Sequence, residues 1–235
     1  MDVQDIFTQE MIAMTIPEIV AVITGIASVW FAKKENILVY PVGIISVLIY
    51  VYIFLNVKLY ADAAINFYYF VMSIYGWYYW KKGGIVQRKL EAQSIQENEK
   101  PMDLIFDENE NTTSNNEQAE ISFNSLRENL MFMLYTAIIF IILVFILKNY
   151  TNSDVALWDG SITAVFFIAM ILMARKKIEN WIFWIIGDAA AIPLCIYKGL
   201  YFTAFQYLIF TIIAIAGFLS WYNKLQKRYK QEQKI

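Results

Sequence analysis

Long apolar runs alternate with short charged breaks along this chain, and the pattern predicts helices that cross a membrane. Seven runs occupy positions 17–32, 37–55, 59–80, 126–147, 155–174, 178–196 and 200–221. A helix rises about 1.5 Å per residue, so about 20 apolar residues span a hydrocarbon layer of about 30 Å. The first run is short for this, and apolar residues before Pro17 are expected to lengthen it; Pro17 itself suits a first helical turn. The breaks carry charge and turn residues, as in Lys33-Lys34-Glu35-Asn36, Asn56-Val57-Lys58, Lys81-Lys82-Gly83-Gly84, Arg175-Lys176-Lys177 and Tyr197-Lys198-Gly199. Residues 85–125 lose the pattern: Glu, Gln, Asn, Ser and Thr dominate, too polar to order themselves around a core. A solvated, disordered loop is expected there, with the patch 102–106 as its one candidate docking element. Seven crossings place the two ends of the chain on opposite sides. With the N-terminus outside, 16 of the 19 Lys and Arg fall inside, which predicts that orientation and a cytoplasmic C-terminus.

The first three runs resemble the last three. The break around Lys33-Lys34 matches the break around Lys176-Lys177, and Gly43 matches Gly187. Leu59-Tyr60 matches Leu200-Tyr201, and Gly76-x3-Trp80 matches Gly217-x3-Trp221. The offset reads as 144 residues in the second helix of each unit and 141 after its turn, so the later unit is expected to be shorter there. One crossing between the units makes both enter the membrane in the same sense, as parallel repeats about an axis along the membrane normal. The expected fold is all-α: a polytopic membrane protein of seven transmembrane helices in a 3+1+3 arrangement. Its parts are a first three-helix bundle at 17–82, a disordered cytoplasmic loop at 83–125, a linker helix at 126–147, a second three-helix bundle at 155–224 and a basic cytoplasmic tail at 225–235.

Composition supports this reading. Hydrophobic residues make up 59% of the chain and charged residues 17%, against about 25% in soluble domains. A net charge of −2 gives no field favouring nucleic acid. Cys195 is the one cysteine and there is no histidine, which excludes an internal disulfide and a Cys/His zinc site. No Gly-x4-Gly-Lys-Ser/Thr loop, paired-carboxylate motif or nucleophile–base motif occurs, so an enzyme is disfavoured and no cofactor is expected. The first fifteen residues are acidic and lack the basic start of a cleavable signal peptide.

Candidate chemistry concentrates in the run 178–196. There Trp181, Trp184 and Asp188 fall at i, i+3 and i+7, on one helix face. An ionisable residue near mid-membrane costs about 2.5 kcal/mol or more to insert, so Asp188 is expected to face a polar cavity. Two indoles and a carboxyl suit an aromatic, polar or cationic small molecule. In the third run Asp62, Asn66, Tyr69 and Ser73 form a polar stripe, with Asp62 near the outer surface; in the seventh, Thr203, Gln206 and Phe210 share a face. Such polar positions serve either as interhelical glue or as cavity lining. Trp30, Trp80 and Trp221 read as interface-belt residues, and Gly43, Gly76, Gly187 and Gly217 as points of close helix packing.

These residues lie within a wider resemblance to the PnuC-type vitamin transporters. It is carried by Thr24-Gly25 to Trp30, Tyr40-Pro41-Val42-Gly43, Tyr60-Ala61-Asp62-Ala63, Tyr75-Gly76-Trp77-x2-Trp80, the stretch from Ala174 through Trp181-x2-Trp184, and Tyr197-x-Gly199-Leu200-Tyr201. The resemblance implies two three-helix bundles joined by one helix, similar to the sugar-transporting SWEETs, in a bacterial inner membrane. It implies import of nicotinamide riboside by facilitated diffusion, trapped by a separate cytoplasmic kinase; relatives carry thiamine or riboflavin. The family's tryptophan pair in helix 6 maps onto Trp181 and Trp184, as ring contacts. Its amide-bearing position in helix 3, often glutamine in nicotinamide riboside carriers, maps onto Asn66. That residue is one methylene shorter, which withdraws the amide by about 1.5 Å. Asn66, Gln206 and Asp188 are then expected to hydrogen-bond ribose or amide groups, with Tyr69 shaping the site. Thiamine is the alternative cargo, since its cationic ring also suits Trp184 and Asp188, and Asp188 is a candidate proton-coupling group. The partners expected are the vitamin, the lipid bilayer and, through apolar helix faces, further copies of the chain. A rival reading is a sensor or scaffold whose acidic loop binds a partner.

Overall fold

The computed structural model describes residues 3–56, 60–98, 119–150, 155–197 and 201–232. Seven helices follow in order: α1 Val3–Lys33, α2 Val39–Asn56, α3 Tyr60–Asn98, α4 Leu126–Tyr150, α5 Ala156–Ala174, α6 Asn180–Tyr197 and α7 Tyr201–Glu232. Among the described residues there is no strand, only a bridge between Ser122 and Lys177. Six helices contain segments long and apolar enough to cross a membrane, the first at Ile16–Lys33. The exception is α3, whose polar stripe and tyrosines lower its hydropathy.

Three boundaries differ from the sequence expectation. Pro17 lies inside α1, which starts at Val3. The backbone of α3 continues to Asn98, and α7 runs to Glu232 through most of the expected tail. Within the expected disordered loop 83–125, the chain is helical up to Asn98 and residues 119–125 pack on the bundle, while 99–118 lie outside the described residues. Low apolar content argues against a core but not against helix, and 85–98 is rich in Gln, Glu, Lys, Arg, Leu and Ala, which favour helix. The patch 102–106 lies outside the described residues.

Helix α2 packs on α1 and α3, and α6 packs on α5 and α7. The two groups meet through α1 with α7 and α3 with α5, while α4 rests on α5. The α1–α2 contact is close because both helices present small residues. A Cβ on Gly25 would stand 3.1 Å from Ser46 Oγ, and one on Gly43 2.8 Å from Ser28 Oγ. The same serines donate across the contact, Ser46 to the Ala21 carbonyl and Ser28 to the Val39 carbonyl, each at 2.7 Å. Helix α4 begins with a capping box: the Glu128 amide N–H donates to Ser125 Oγ, and the Ser125 N–H to Glu128 Oε2.

At one end of the bundle the contacts come in pairs whose members are 141 positions apart. The α1–α2 and α5–α6 links make the same turn, with Glu35 and Lys176 both in the left-handed region at φ 55° and 56°. Glu35 N–H donates to the Ala32 carbonyl and Lys176 N–H to the Met173 carbonyl, both at 2.9 Å. The indole of Trp80 donates to the Met173 carbonyl at 3.2 Å, and that of Trp221 to the Ala32 carbonyl at 3.1 Å. Tyr40 meets Trp80 edge-on at 5.2 Å, as Trp181 meets Trp221 at 5.4 Å. Gly76 admits the Tyr40 ring, and Gly217 that of Trp181. One offset of 141 covers the turn and both helices around it, so the expected 144 in the second helix and the shortening it implied are corrected. Trp80 and Trp221 are fully buried in this cluster rather than belted at an interface, because their indoles bond across it. Trp30 does lie at the surface, with the Lys33 and Lys34 ammonium groups 4.3 and 5.3 Å from its ring.

Residues 119–125 cross this end as a strap. Ala119 N–H donates to the Trp80 carbonyl at 2.8 Å, and Ile178 N–H to the Ser122 carbonyl at 3.1 Å. Asn124 N–H donates to Glu179 Oε1 at 2.8 Å. Arg228 pairs with Glu120 and donates to the Ile121 carbonyl. Ile121 is 3% exposed and belongs to the cluster of Tyr40, Trp80, Trp181, Trp221 and Leu225.

Candidate functional site

Helix α6 is two-faced. Trp181, Gly187, Asp188, Ala191, Leu194 and Cys195 are buried, whereas Ile182, Ile186, Ala189, Pro193 and Ile196 are exposed. That split follows the 3.6-residue period and turns the Trp181, Trp184 and Asp188 face inward, as the sequence spacing predicts. The carboxyl of Asp188 sits two turns into the helix on a residue 2% exposed. It forms no ion pair among the described residues.

Aromatic rings from four helices gather beside it. Phe166 of α5 lies 5.3 Å from Trp184 and stacks on Tyr207 of α7 at 6.0 Å. Gly187 makes room for Phe166, because a Cβ there would collide with the ring. Tyr69 of α3 packs on the same cluster, and both Tyr69 and Tyr207 lie within electrostatic reach of Asp188. The next residue back, Gln206, is hydrogen-bonded with Tyr50 of α2. Helices α3, α5, α6 and α7 thus converge on one aromatic cage around Asp188, α2 joins through Tyr50, and a second carboxyl, Asp62 of α3, also lies within electrostatic reach of Tyr207.

The indole N–H groups separate the tryptophans into two kinds. Those of Trp80, Trp158 and Trp221 donate to backbone carbonyls. Those of Trp181 and Trp184 are buried and have no hydrogen-bond partner among the described residues. An orphaned buried donor costs about 1–3 kcal/mol, a cost that an acceptor on a bound molecule would remove. Trp184 stands in the cage wall and also touches the lower cluster, where Trp181 is 0% exposed between Gly217 and Trp221. The Tyr40 hydroxyl in that lower cluster is also orphaned.

Of the residues singled out in the sequence, Trp184, Asp188 and Tyr69 come together here. Gln206 joins through its neighbour Tyr207 and its contact to Tyr50. Trp181 lies next to the cage, in the cluster that closes its floor. Asn66 donates its amide to the Asp62 carbonyl one turn back at 2.9 Å, an intrahelical bond. Phe166, Tyr207 and Tyr50 were missed. Tyr207 adjoins a polar position already noticed, but Phe166 sits in an apolar run with nothing to mark it. No group of His, Cys, Asp and Glu able to hold a metal occurs among the described residues. None of the named cage residues is Lys or Arg, so the arrangement fits a ring-bearing, hydrogen-bonding molecule that is neutral or cationic.

Comparison with known proteins identifies the family. The family model described as nicotinamide mononucleotide transporter matches residues 15–223. The nicotinamide riboside transporter PnuC of Escherichia coli K12 is 26% identical over 218 residues, covering 90% of this chain and 87% of the relative. The nicotinamide riboside transporter PnuC of Neisseria mucosa is 23% identical over 220 residues, covering 89% and 73%. A crystal structure of the vitamin B3 transporter PnuC superposes with a TM-score of 0.63 at 23% identity over 89% of this chain and 81% of that one, a likeness of fold. The chain is a multi-pass membrane protein and belongs to the nicotinamide mononucleotide transporter family, the PnuC-type transporters.

Proposed function

We propose that this protein carries nicotinamide riboside across the bacterial inner membrane, with the cage around Trp184 and Asp188 as its binding site. One observation carries the reading: a buried carboxyl one helical turn from an indole N–H that has no hydrogen-bond partner among the described residues, beside a cluster of aromatic rings. The riboside offers a cationic pyridinium for the rings and the carboxyl, and hydroxyl and amide oxygens for the indole donors. The mononucleotide adds a phosphate, and none of the cage residues offers it a cation. This favours the riboside, in line with the names of the curated relatives. In this reading Trp184 and Trp181 contact the ring, Asp188 and Gln206 bond polar groups of the cargo, and Tyr69 shapes the wall. Asn66 joins only by giving up its bond to the Asp62 carbonyl.

The contacts repeating at 141 positions support a 3+1+3 architecture of parallel repeats, with α1–α3 and α5–α7 as the two units and α3 as the seventh crossing. The lysine and arginine count supports an outer N-terminus and a cytoplasmic C-terminus. The resemblance to the PnuC-type transporters supports facilitated diffusion, drawn inward by phosphorylation by a separate kinase.

Uptake into proteoliposomes tests the assignment, using labelled nicotinamide riboside, nicotinamide mononucleotide and thiamine. The riboside is expected to enter, with uptake at least tenfold lower in Asp188→Asn, which keeps the shape and removes the charge. Entry of thiamine alone would move the cargo while keeping the site. Full riboside uptake by Asp188→Asn would remove the carboxyl from it.

A further inference from the structure

We propose that the cleft under the strap binds a phosphate group carried by a small molecule. The cleft encloses about 470 Å³, within the range of ligand pockets. Its walls carry the cations Lys34, Lys176, Lys224, Lys227 and Arg228, against the carboxylates Glu35 and Glu120. Glu35 is shared between Lys224 at 3.0 Å and Lys176 at 3.4 Å, and Glu120 pairs with Arg228. Among the described residues, five cations against two carboxylates leave a formal excess of three positive charges. Lys34 and Lys227 have no carboxylate within ion-pair distance among the described residues.

A surplus of lysine at one end of a membrane protein is ordinary topology. It requires neither a concave site nor a buried ammonium, and both are present. Lys176 is 2% exposed on the cleft wall, where water neutralises its charge poorly. The cleft is half open to solvent, and its concave shape brings the exposed ammonium groups of Lys34, Lys224 and Lys227 to bear on one space beside Lys176. A phosphate monoester carries close to two negative charges at neutral pH and three acceptor oxygens, which matches this excess better than a carboxylate does. Arg228, bonded to Glu120 and to the Ile121 carbonyl, fixes the strap over the cleft, so the lysines supply the donors. The cations come from the end of α1, the α5–α6 link and α7, so an occupant would bridge these elements. The phosphate has two sources of the same chemistry: a soluble phosphorylated metabolite or an anionic lipid headgroup.

The test uses the full chain in nanodiscs and reads binding, so it is separate from any result on uptake. Pyrophosphate is titrated calorimetrically into discs of zwitterionic phosphatidylcholine, with wild type, Lys227→Gln and the double variant Lys224→Gln/Lys227→Gln. Thermal unfolding checks that each variant is folded. Saturable binding that weakens at least tenfold in the double variant, and by an intermediate amount in Lys227→Gln, assigns the cleft to soluble phosphates. Stabilisation by phosphatidylglycerol-containing discs in wild type but not the double variant, without pyrophosphate binding, assigns it to a headgroup. No response to either, or equal responses in wild type and variants, overturns the proposal.

Discussion

Replacing Trp184 by Phe should strengthen the empty protein while weakening its grip on cargo. The indole N–H of Trp184 is buried without a partner, so removing it relieves about 1–3 kcal/mol. The smaller ring costs roughly 1 kcal/mol in lost packing against Phe166. The net effect falls between about zero and 2 kcal/mol of stabilisation. Trp80→Phe is the control, because it makes the same chemical change at an indole that donates to the Met173 carbonyl at 3.2 Å. There the hydrogen bond, about 1 kcal/mol, and the packing loss act together, giving destabilisation of about 2 kcal/mol. Thermal unfolding in detergent reads both. Uptake should show a KM for the riboside raised about tenfold in Trp184→Phe, the equivalent of about 1.4 kcal/mol, and close to unchanged in Trp80→Phe. Equal destabilisation by the two substitutions would refute the claim that the Trp184 donor is held in reserve. An unchanged KM in Trp184→Phe would refute its assignment to the cargo.

Two further outcomes follow from the packing and the charge at the strap end. In Gly217→Ala the new methyl would stand 2.6 Å from Trp181 Cη2, so the indole must shift; the overpacking should cost about 1–3 kcal/mol in unfolding and lower uptake by moving the cage floor. Lys176 faces Glu35 from the α1–α2 link, Glu120 from the strap, Lys224 from α7 and the Trp80 ring of α3 at 4.5 Å. Burial pushes its ammonium from the ordinary 10.5 down to about 8. The native state therefore binds fewer protons than the unfolded chain between those values, and stability from this group rises with pH across that window, by roughly 3 kcal/mol in all. Unfolding of wild type against Lys176→Met from pH 7 to 10.5 should show wild type gaining on the variant, and parallel curves would refute it.

Helix positions were legible because membrane crossings demand long apolar runs, and six of the seven expected helices meet that demand by themselves. The site was legible where an unusual residue stands in such a run, as Asp188 and Trp184 do in α6. Burial of Trp80 and Trp221 was hidden, since an indole near a charged break looks the same whether it anchors at an interface or bonds a carbonyl across a helix contact. The strap was hidden for another reason. Ile121, a few hydrogen bonds and the pairing of Glu120 with Arg228 hold it, and none of these stands out in a polar segment.

The least visible residue, Phe166, is explained by the 141-residue register. At that offset Gly25 corresponds to Phe166, Ser46 to Gly187 and Gly43 to Trp184. In the first unit Gly25 lies against Ser46 and Gly43 against Ser28, so α1 and α2 close on each other and are stitched by hydroxyl-to-carbonyl bonds. In the second unit the small residue changes helix: Gly187 of α6 receives the Phe166 ring from α5, and Trp184 stands where the first unit has Gly43. The same helix contact that is sealed with small side chains in one unit is built from large rings in the other. Those rings, with Tyr207 and Asp188, make the cage. The two proposed units share the turns and tryptophans that join them at one end, and differ at the cluster proposed to hold the ligand. Searching for sameness between the proposed repeats finds the frame, and the candidate site lies at the positions where the sameness fails.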